Sequence, residues 1–168
     1  PVIGTASTVQ IMSEALGMAF PGTAASPAVS AQRLKTAKRS GRQIVELVRR
    51  GVNPSQILTE EAFENAARVA LAVGGSMNIT LHIPAIASEL GIRVGLDMFD
   101  RLSGETPCIC GLMPNGNHTM VDLGEAGGVP AVMKELESLL NLEVLTCTGK
   151  TLRENLKDAR VLNKDVIK

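Results

Sequence analysis

Pro1-Val2-Ile3-Gly4-Thr5-Ala6-Ser7-Thr8 is a polar, glycine-led run that passes directly into apolar residues at helical spacing, Val9, Met12, Leu16 and Ala19. Small hydroxyl side chains set just ahead of a helix lie close to its free N–H groups, so both can face a ligand. No initiator Met and no earlier element precede this loop. The reading that follows is of a piece cut from a larger protein, and the question is how much function the piece carries.

Moving outward from that loop, Ser7 with Gln10 three residues on predicts a capping box and a helix to about Ala19, stopped by Pro21-Gly22. Ser26-Pro27 is a second start signal, predicting a long helix over 28–50 with a buried stripe of Leu34, Ala37, Ile44, Leu47 and Val48 and a stop at Gly51. Gly41 in its middle marks close packing or a local weakness. Thr59 predicts a third cap, with Phe63, Ala66, Ala67 and Ala70 as the apolar face behind it. Ser76–Leu90 reads as helical after Gly74-Gly75, with Pro84 in an early turn or at a kink, and a short helix follows near Asp97–Leu102. Residues 108–112 and 142–145 are short strand candidates. A helix from Pro130 to about Leu140 and a last one through Leu156 complete the pattern, with 160–168 a strand or linker. The expected class is α/β, helix-rich, with few strands of its own. The expected division is a partial α/β domain over 1–158 and a linker over 159–168.

Composition narrows the function classes. Charges balance at 17 against 17, so no global field favours nucleic acid or an anionic membrane. No apolar run reaches the roughly 18–20 residues of a spanning helix, and no signal peptide is visible; the expectation is a cytoplasmic protein. Three Phe, no Trp and no Tyr leave a core of aliphatic residues and Met. The odd cysteine count, with Cys108 and Cys110 too close for a relaxed disulfide, suits a reducing compartment.

Four groups of residues invite chemistry. Gly149-Lys150-Thr151 resembles the end of a phosphate loop, but Val144 stands where that motif needs Gly, so a capped helix start is the better reading. Cys108 and Cys110, with His118 nearby, fall short of a four-ligand set; the alternatives are small buried apolar residues and soft metal ligands. Gly74-Gly75-Ser76-Met77-Asn78, followed by His82, can gather N–H groups and a side-chain amide around an anion, against a plain helix start with a core histidine. Lys35, Lys38, Arg39 and Arg42 share one helix face, which is either solvated or set against an acidic partner.

Read in order, several stretches carry a resemblance. They are Gly4-Thr5-Ala6-Ser7-Thr8, Glu14-Ala15-Leu16-Gly17-Met18 with Pro21-Gly22, Ala62-Phe63-Glu64-Asn65-Ala66, Gly74-Gly75-Ser76-Met77-Asn78 with Leu81-His82, Ala126-Gly127-Gly128-Val129-Pro130, and Thr148-Gly149-Lys150-Thr151. Together they resemble the dihydroxy-acid dehydratase and phosphogluconate dehydratase family over essentially the whole chain. Met77 departs from the Thr usual there.

The resemblance implies a helix-rich part of the N-terminal domain of an iron–sulfur hydro-lyase. Such an enzyme dehydrates a 2,3-dihydroxy carboxylic acid or sugar acid to a 2-keto acid, in branched-chain amino-acid biosynthesis or sugar-acid catabolism. It implies an iron–sulfur cluster acting as Lewis acid on the leaving hydroxyl, a magnesium ion holding the substrate, and a serine base at C2. It places the family's cluster cysteines and most magnesium ligands ahead of Pro1, and the base and last magnesium ligand beyond Lys168. It therefore implies no catalytic residue, metal ligand or cofactor held by this chain alone. Gly4, Thr5, Ser7, Thr8, Ser76, Asn78 and His82 are implied to lie near the cluster or substrate. The implied partners are the small-molecule dihydroxy acid, a missing β-rich domain or homologous subunit, and a homo-oligomer when complete, with no nucleic acid and no membrane. The competing expectation is a non-catalytic truncated paralogue acting as a binding or assembly module.

Overall fold

The computed structural model describes residues 2–168, a helical body built around one central helix. The helices are α1 Thr5–Ala15, α2 Ala31–Arg49, α3 Pro54–Ile57, α4 Glu60–Ala72, α5 Ile79–Ser88, α6 Leu96–Glu105, α7 Met120–Glu125, α8 Gly128–Glu135 and α9 Leu152–Asn155, with a 3-10 turn at Glu137–Leu139. None of the described helices is long and apolar enough to cross a membrane.

α4 is the centre because its composition lets it be buried on every side. Ala62, Phe63, Ala66, Ala67, Val69, Ala70 and Ala72 are all fully enclosed, and the small alanines let α1, α5, α6 and α8 approach closely. Thr59 caps it as expected, its side chain accepting from Ala62 N. Asn65, also fully buried, has both ends of its amide used: Nδ2 donates to Asn141 O and Oδ1 accepts from Asn141 N, each at 2.8 Å. That pairing ties the 141–145 segment to the core without exposing a polar group to apolar surroundings.

The start of α1 differs from expectation. Gly4, not Ser7, is the N-cap, and no side chain caps the helix. Ser7 and Gln10 form no capping box, because both lie inside the helix that Gly4 begins. The helix also ends earlier, at Ala15. Gly17 takes φ 78°, with Gly17 N donating to Glu14 O and Met18 N donating to Ser13 O, which is the paired bonding of a Schellman ending. A Cβ at Gly17 would in addition stand 3.0–3.1 Å from Thr146, so the 144–148 segment packs where only glycine fits.

α2 begins at Ala31 with Ser30 as cap; ahead of it Ser26 closes one turn and Pro27 opens another, Ser26 N donating to Thr23 O and Ser30 N to Pro27 O. The buried stripe expected on α2 is the larger correction. Of its five residues only Leu47 is buried, while Leu34, Ile44 and Val48 are 75%, 57% and 71% exposed and Ala37 is exposed as well. The spacing is that of a packed helix, but among the described residues nothing covers it.

α5 is shorter than Ser76–Leu90, with Pro84 inside it, and α8 ends at Glu135, before the expected Leu140. No ladder forms where strands were expected. Pairing is limited, among the described residues, to single bridges between Cys110 and Ile167, Leu112 and His118, and Leu145 and Thr151. The described residues are therefore a helix-rich body without a sheet of their own. The segment 160–168 returns to that body: Leu162 N donates to Ala126 O, Lys168 N donates to Ile109 O, and Val166 and Ile167 are buried.

Candidate functional site

The start of α1 and the turn before α5 meet in space. Asn78 Nδ2 donates to Thr5 Oγ1 at 2.7 Å, and the Thr5 and Ser76 hydroxyls are hydrogen-bonded at 3.2 Å. Beneath them Thr8, fully buried, donates from its hydroxyl to Gly4 O at 2.8 Å and accepts from Ser76 N at 3.0 Å. The α4 ending makes this contact possible. Gly74 has φ 64°, and Gly75 N donates back to Ala70 O. A Cβ on Gly75 would lie 2.7 Å from Thr8 Cγ2 and 2.8 Å from Ala70 O. The second glycine is therefore required for the α1 threonine to fit against the turn, a steric role like that of glycines at close backbone approaches.

Five of the seven residues singled out in the sequence, Gly4, Thr5, Thr8, Ser76 and Asn78, thus form one hydrogen-bonded cluster. Two do not join it. Ser7 faces away, toward a hollow shared with Pro27 and Met120. His82 is exposed on α5, where its side chain makes no hydrogen bond to a described residue, so it is neither a core histidine nor a member of this cluster. Met77 is 82% exposed beside the cluster, consistent with a position that packs on nothing in this chain.

The cluster is neutral and amphoteric. Two hydroxyls and one carboxamide offer both donors and acceptors at its rim, an arrangement suited to a polyhydroxylated or carboxylated molecule. A site for a bulky apolar one would need a different lining. The 108–115 segment borders it: a Cβ at Gly74 would be 3.8 Å from both Asn115 Nδ2 and Cys108 Sγ. Ile3 N donates to Met113 O, fixing the entry of the Gly4 loop against the same segment.

The remaining candidates read as structural. Gly149-Lys150-Thr151 leads into the one-turn α9, whose cap is Thr151 in a box with Glu154. Arg50 Nη2 donates to Gly149 O, occupying the loop with a protein cation. Burial pushes the Cys110 thiol up to about 12 and the Cys147 thiol up to about 11, so both are protonated at neutral pH; Cys108 is exposed. Among the described residues no three His, Cys, Asp or Glu side chains are gathered into a set that could hold a metal ion. By themselves the described residues do not offer a ligand set for an iron–sulfur cluster or a magnesium ion.

Glu14 was not singled out for chemistry in the sequence. It is buried under the 17–24 loop, with Oε1 accepting from Gly22 N at 2.5 Å and Oε2 from Ala24 N at 2.9 Å. Burial nevertheless outweighs these N–H contacts and raises its carboxyl to about 7. The available signal was its place between Ile11 and Ala15, on the apolar side of α1.

Helix order and the Gly4–Asn78 contacts together define a helical body with a small polar cluster joining two helix starts. Residues 1–155 match the family model described as dihydroxy-acid/6-phosphogluconate dehydratase N-terminal, and the chain belongs to that family. It is 50% identical over 165 residues to a dihydroxy-acid dehydratase of Methanothermobacter thermautotrophicus, covering 98% of this chain and 30% of that protein. It is 52% identical over 166 residues to one from Caldicellulosiruptor bescii, again covering 98% and 30%. A dihydroxy-acid dehydratase of Methanothrix thermoacetophila is 52% identical over 159 residues, covering 95% of this chain and 29% of the relative. The chain thus spans about 30% of the length of the curated relatives it matches.

Proposed function

We propose that this chain supplies one wall of the active site of a hydro-lyase that converts a 2,3-dihydroxy carboxylic acid to a 2-keto acid. The observation that carries the reading is the joining of the Gly4–Thr8 start of α1 to the Gly75–Asn78 turn across a gap of about seventy residues. That cluster lies in a chain matched over residues 1–155 by a dehydratase N-terminal family.

In this reading the Thr5 and Ser76 hydroxyls and the Asn78 carboxamide orient the hydroxyl and carboxylate groups of the substrate. Thr8 and Gly75 hold the two segments in register. Loss of hydroxide from the substrate requires stabilisation of charge on the leaving oxygen, which a metal centre supplies in such reactions. That group and the proton-abstracting base would come from residues outside this chain, and the chain alone would be inactive. The sugar acids and branched-chain precursors are both 2,3-dihydroxy acids, and the cluster's donors and acceptors suit either.

The test is segment exchange. This chain is placed in the Methanothermobacter dihydroxy-acid dehydratase in exchange for the matching segment, and 2-keto acid is measured as its hydrazone. Keto-acid formation supports the reading, and a folded, metal-loaded chimera that forms none contradicts it.

A further inference from the structure

Glu14 is a buried carboxyl that the proposed function leaves unused. From the last turn of α1 it reaches under the segment 17–24, where Oε1 accepts from Gly22 N and Oε2 from Ala24 N. Among the described residues these are the hydrogen bonds that tie the 19–25 backbone to the rest of the chain. The others, from Thr23 N and Oγ1 to Phe20 O and from Ser26 N to Thr23 O, stay within the segment and its exit. Gly17 and Gly22, at φ 78° and 81°, bracket the segment. Cys147 N donates to Gly17 O at 2.7 Å, so Gly17 is anchored and the backbone beyond it is the part able to swing.

Among the described residues no cation pairs with this carboxyl. Residues 16–26 carry no charge, and Glu14 is the one charged residue of α1. The groups facing it from other elements are Cys147 and, beside that thiol, Arg39 of α2. Cys147 is a neutral thiol, and the Arg39 guanidinium sits over the Phe20 ring, 4.0 Å from its centroid. The other helices packed on α1 direct their charges elsewhere. Arg68 and Glu64 of α4 pair with each other, Lys134 of α8 pairs with Glu137, and Glu60, Glu61, His82 and Glu135 are exposed. A carboxylate in this position has two peptide donors but neither water nor a counter-charge, and burying a charge without a partner costs more than two such donors return. The neutral carboxyl accepts the same two N–H groups without that penalty. Glu14 accordingly titrates at about 7.

We propose that Glu14 is a proton-operated latch on the 17–24 segment. Neutral, it holds the segment against α1; ionised, it lets the segment lift so that water reaches the carboxylate. One proton leaves the carboxyl for solvent on opening and returns on closing. Met18, Phe20 and Thr23 of this segment line a groove of about 460 Å³ between α2 and the body, which Leu47, Ile57 and Cys147 also line. Opening withdraws Phe20 from the Arg39 guanidinium and from the groove. Every contact of the latch lies within the described chain, and it does not rest on the dehydratase reading.

The experiment follows amide hydrogen exchange of the 168-residue chain by NMR between pH 5 and pH 8, each rate divided by that of the unstructured amide at the same pH. The Gly22 and Ala24 amides are expected to open about fiftyfold more readily at pH 8 than at pH 5. At every pH they should be far less protected than Val69 in the enclosed α4. Glu14→Gln is expected to expose both amides more at pH 5, because its Nε2 cannot accept, and to remove the pH dependence. In the unaltered chain the Glu14 carboxyl carbon shift is expected to titrate with the midpoint of the exchange profile. Corrected exchange at Gly22 and Ala24 that is flat with pH, that keeps its pH dependence in Glu14→Gln, or that matches Val69 in rate throughout overturns the proposal. So does a Glu14 carboxyl that titrates near 4.5 in the folded chain.

Discussion

Asn78 Nδ2 donates a 2.7 Å hydrogen bond to Thr5 Oγ1, joining residues 73 positions apart. The bond is exposed and adds little stability by itself. Its importance is positional, because it fixes two small polar side chains on the rim of one cluster while the buried Thr8 beneath supplies the anchoring.

Thr8→Val keeps the side-chain shape and removes the hydroxyl that accepts from Ser76 N. The part-buried Ser76 N–H loses its acceptor, at a cost of about 1 kcal/mol. Urea unfolding should show a lower midpoint. Hydrogen exchange at the Ser76 amide should accelerate in Thr8→Val but not in Thr8→Ser, which retains the acceptor.

Two glycine-to-alanine changes should have opposite signs. Gly75→Ala drives a methyl toward Thr8 Cγ2 and the Ala70 carbonyl, and overpacking of this kind costs about 1–3 kcal/mol. Gly41→Ala meets nothing within 4 Å in the middle of α2, so helix propensity should stabilise the chain by about 0.5–1 kcal/mol. Melting temperatures of the two variants test both signs at once.

Glu14 makes stability depend on pH. Its carboxyl is raised from 4.5 to about 7 in the folded chain, so the native state holds the extra proton between those values. Stability linked to Glu14 is therefore fully present below about pH 4.5 and is lost as pH rises through about 7, by about 3 kcal/mol in all. Glu14→Gln, neutral at every pH, should flatten that part of the curve. Melting temperatures of both proteins between pH 4.5 and 8 give the comparison, and equal slopes would count against it.

The three thiols should react unequally. Cys108 is exposed, whereas Cys110 and Cys147 are held as protonated thiols by burial. Iodoacetamide at pH 8 should label Cys108 first, Cys147, which lines the groove beside α2, more slowly, and Cys110 only on unfolding, as read by peptide mass spectrometry.

Much of this arrangement was legible in the sequence, for reasons specific to each element. Thr59 ahead of an alanine-rich run announced α4, because a cap and a face of small apolar residues both act locally. Gly4, Thr5, Thr8, Ser76 and Asn78 stood out in the sequence as small polar residues and glycines gathered at two helix starts. That they touch each other did not, since the contact depends on the steric gap at Gly75. The α2 stripe misled: periodicity reports a face able to pack, not whether anything packs on it. The strand candidates failed because residues such as Cys110 and Leu145 pair at single bridges. Short apolar runs do not reveal whether a neighbouring strand exists to extend the pairing. Ser7 lost its expected capping role because Gly4 could begin the helix three residues earlier.

The claim that the Gly4–Thr8 and Gly75–Asn78 segments form a dehydratase wall is tested most directly by kcat/KM for keto-acid formation in the segment-exchange chimera, with and without Thr5→Val and Asn78→Ala. The account predicts an active parent chimera and a loss of about tenfold or more in each variant, with cluster and magnesium content and melting temperature unchanged. A folded, metal-loaded parent chimera without activity, or variants that turn over at the parent rate, would contradict it.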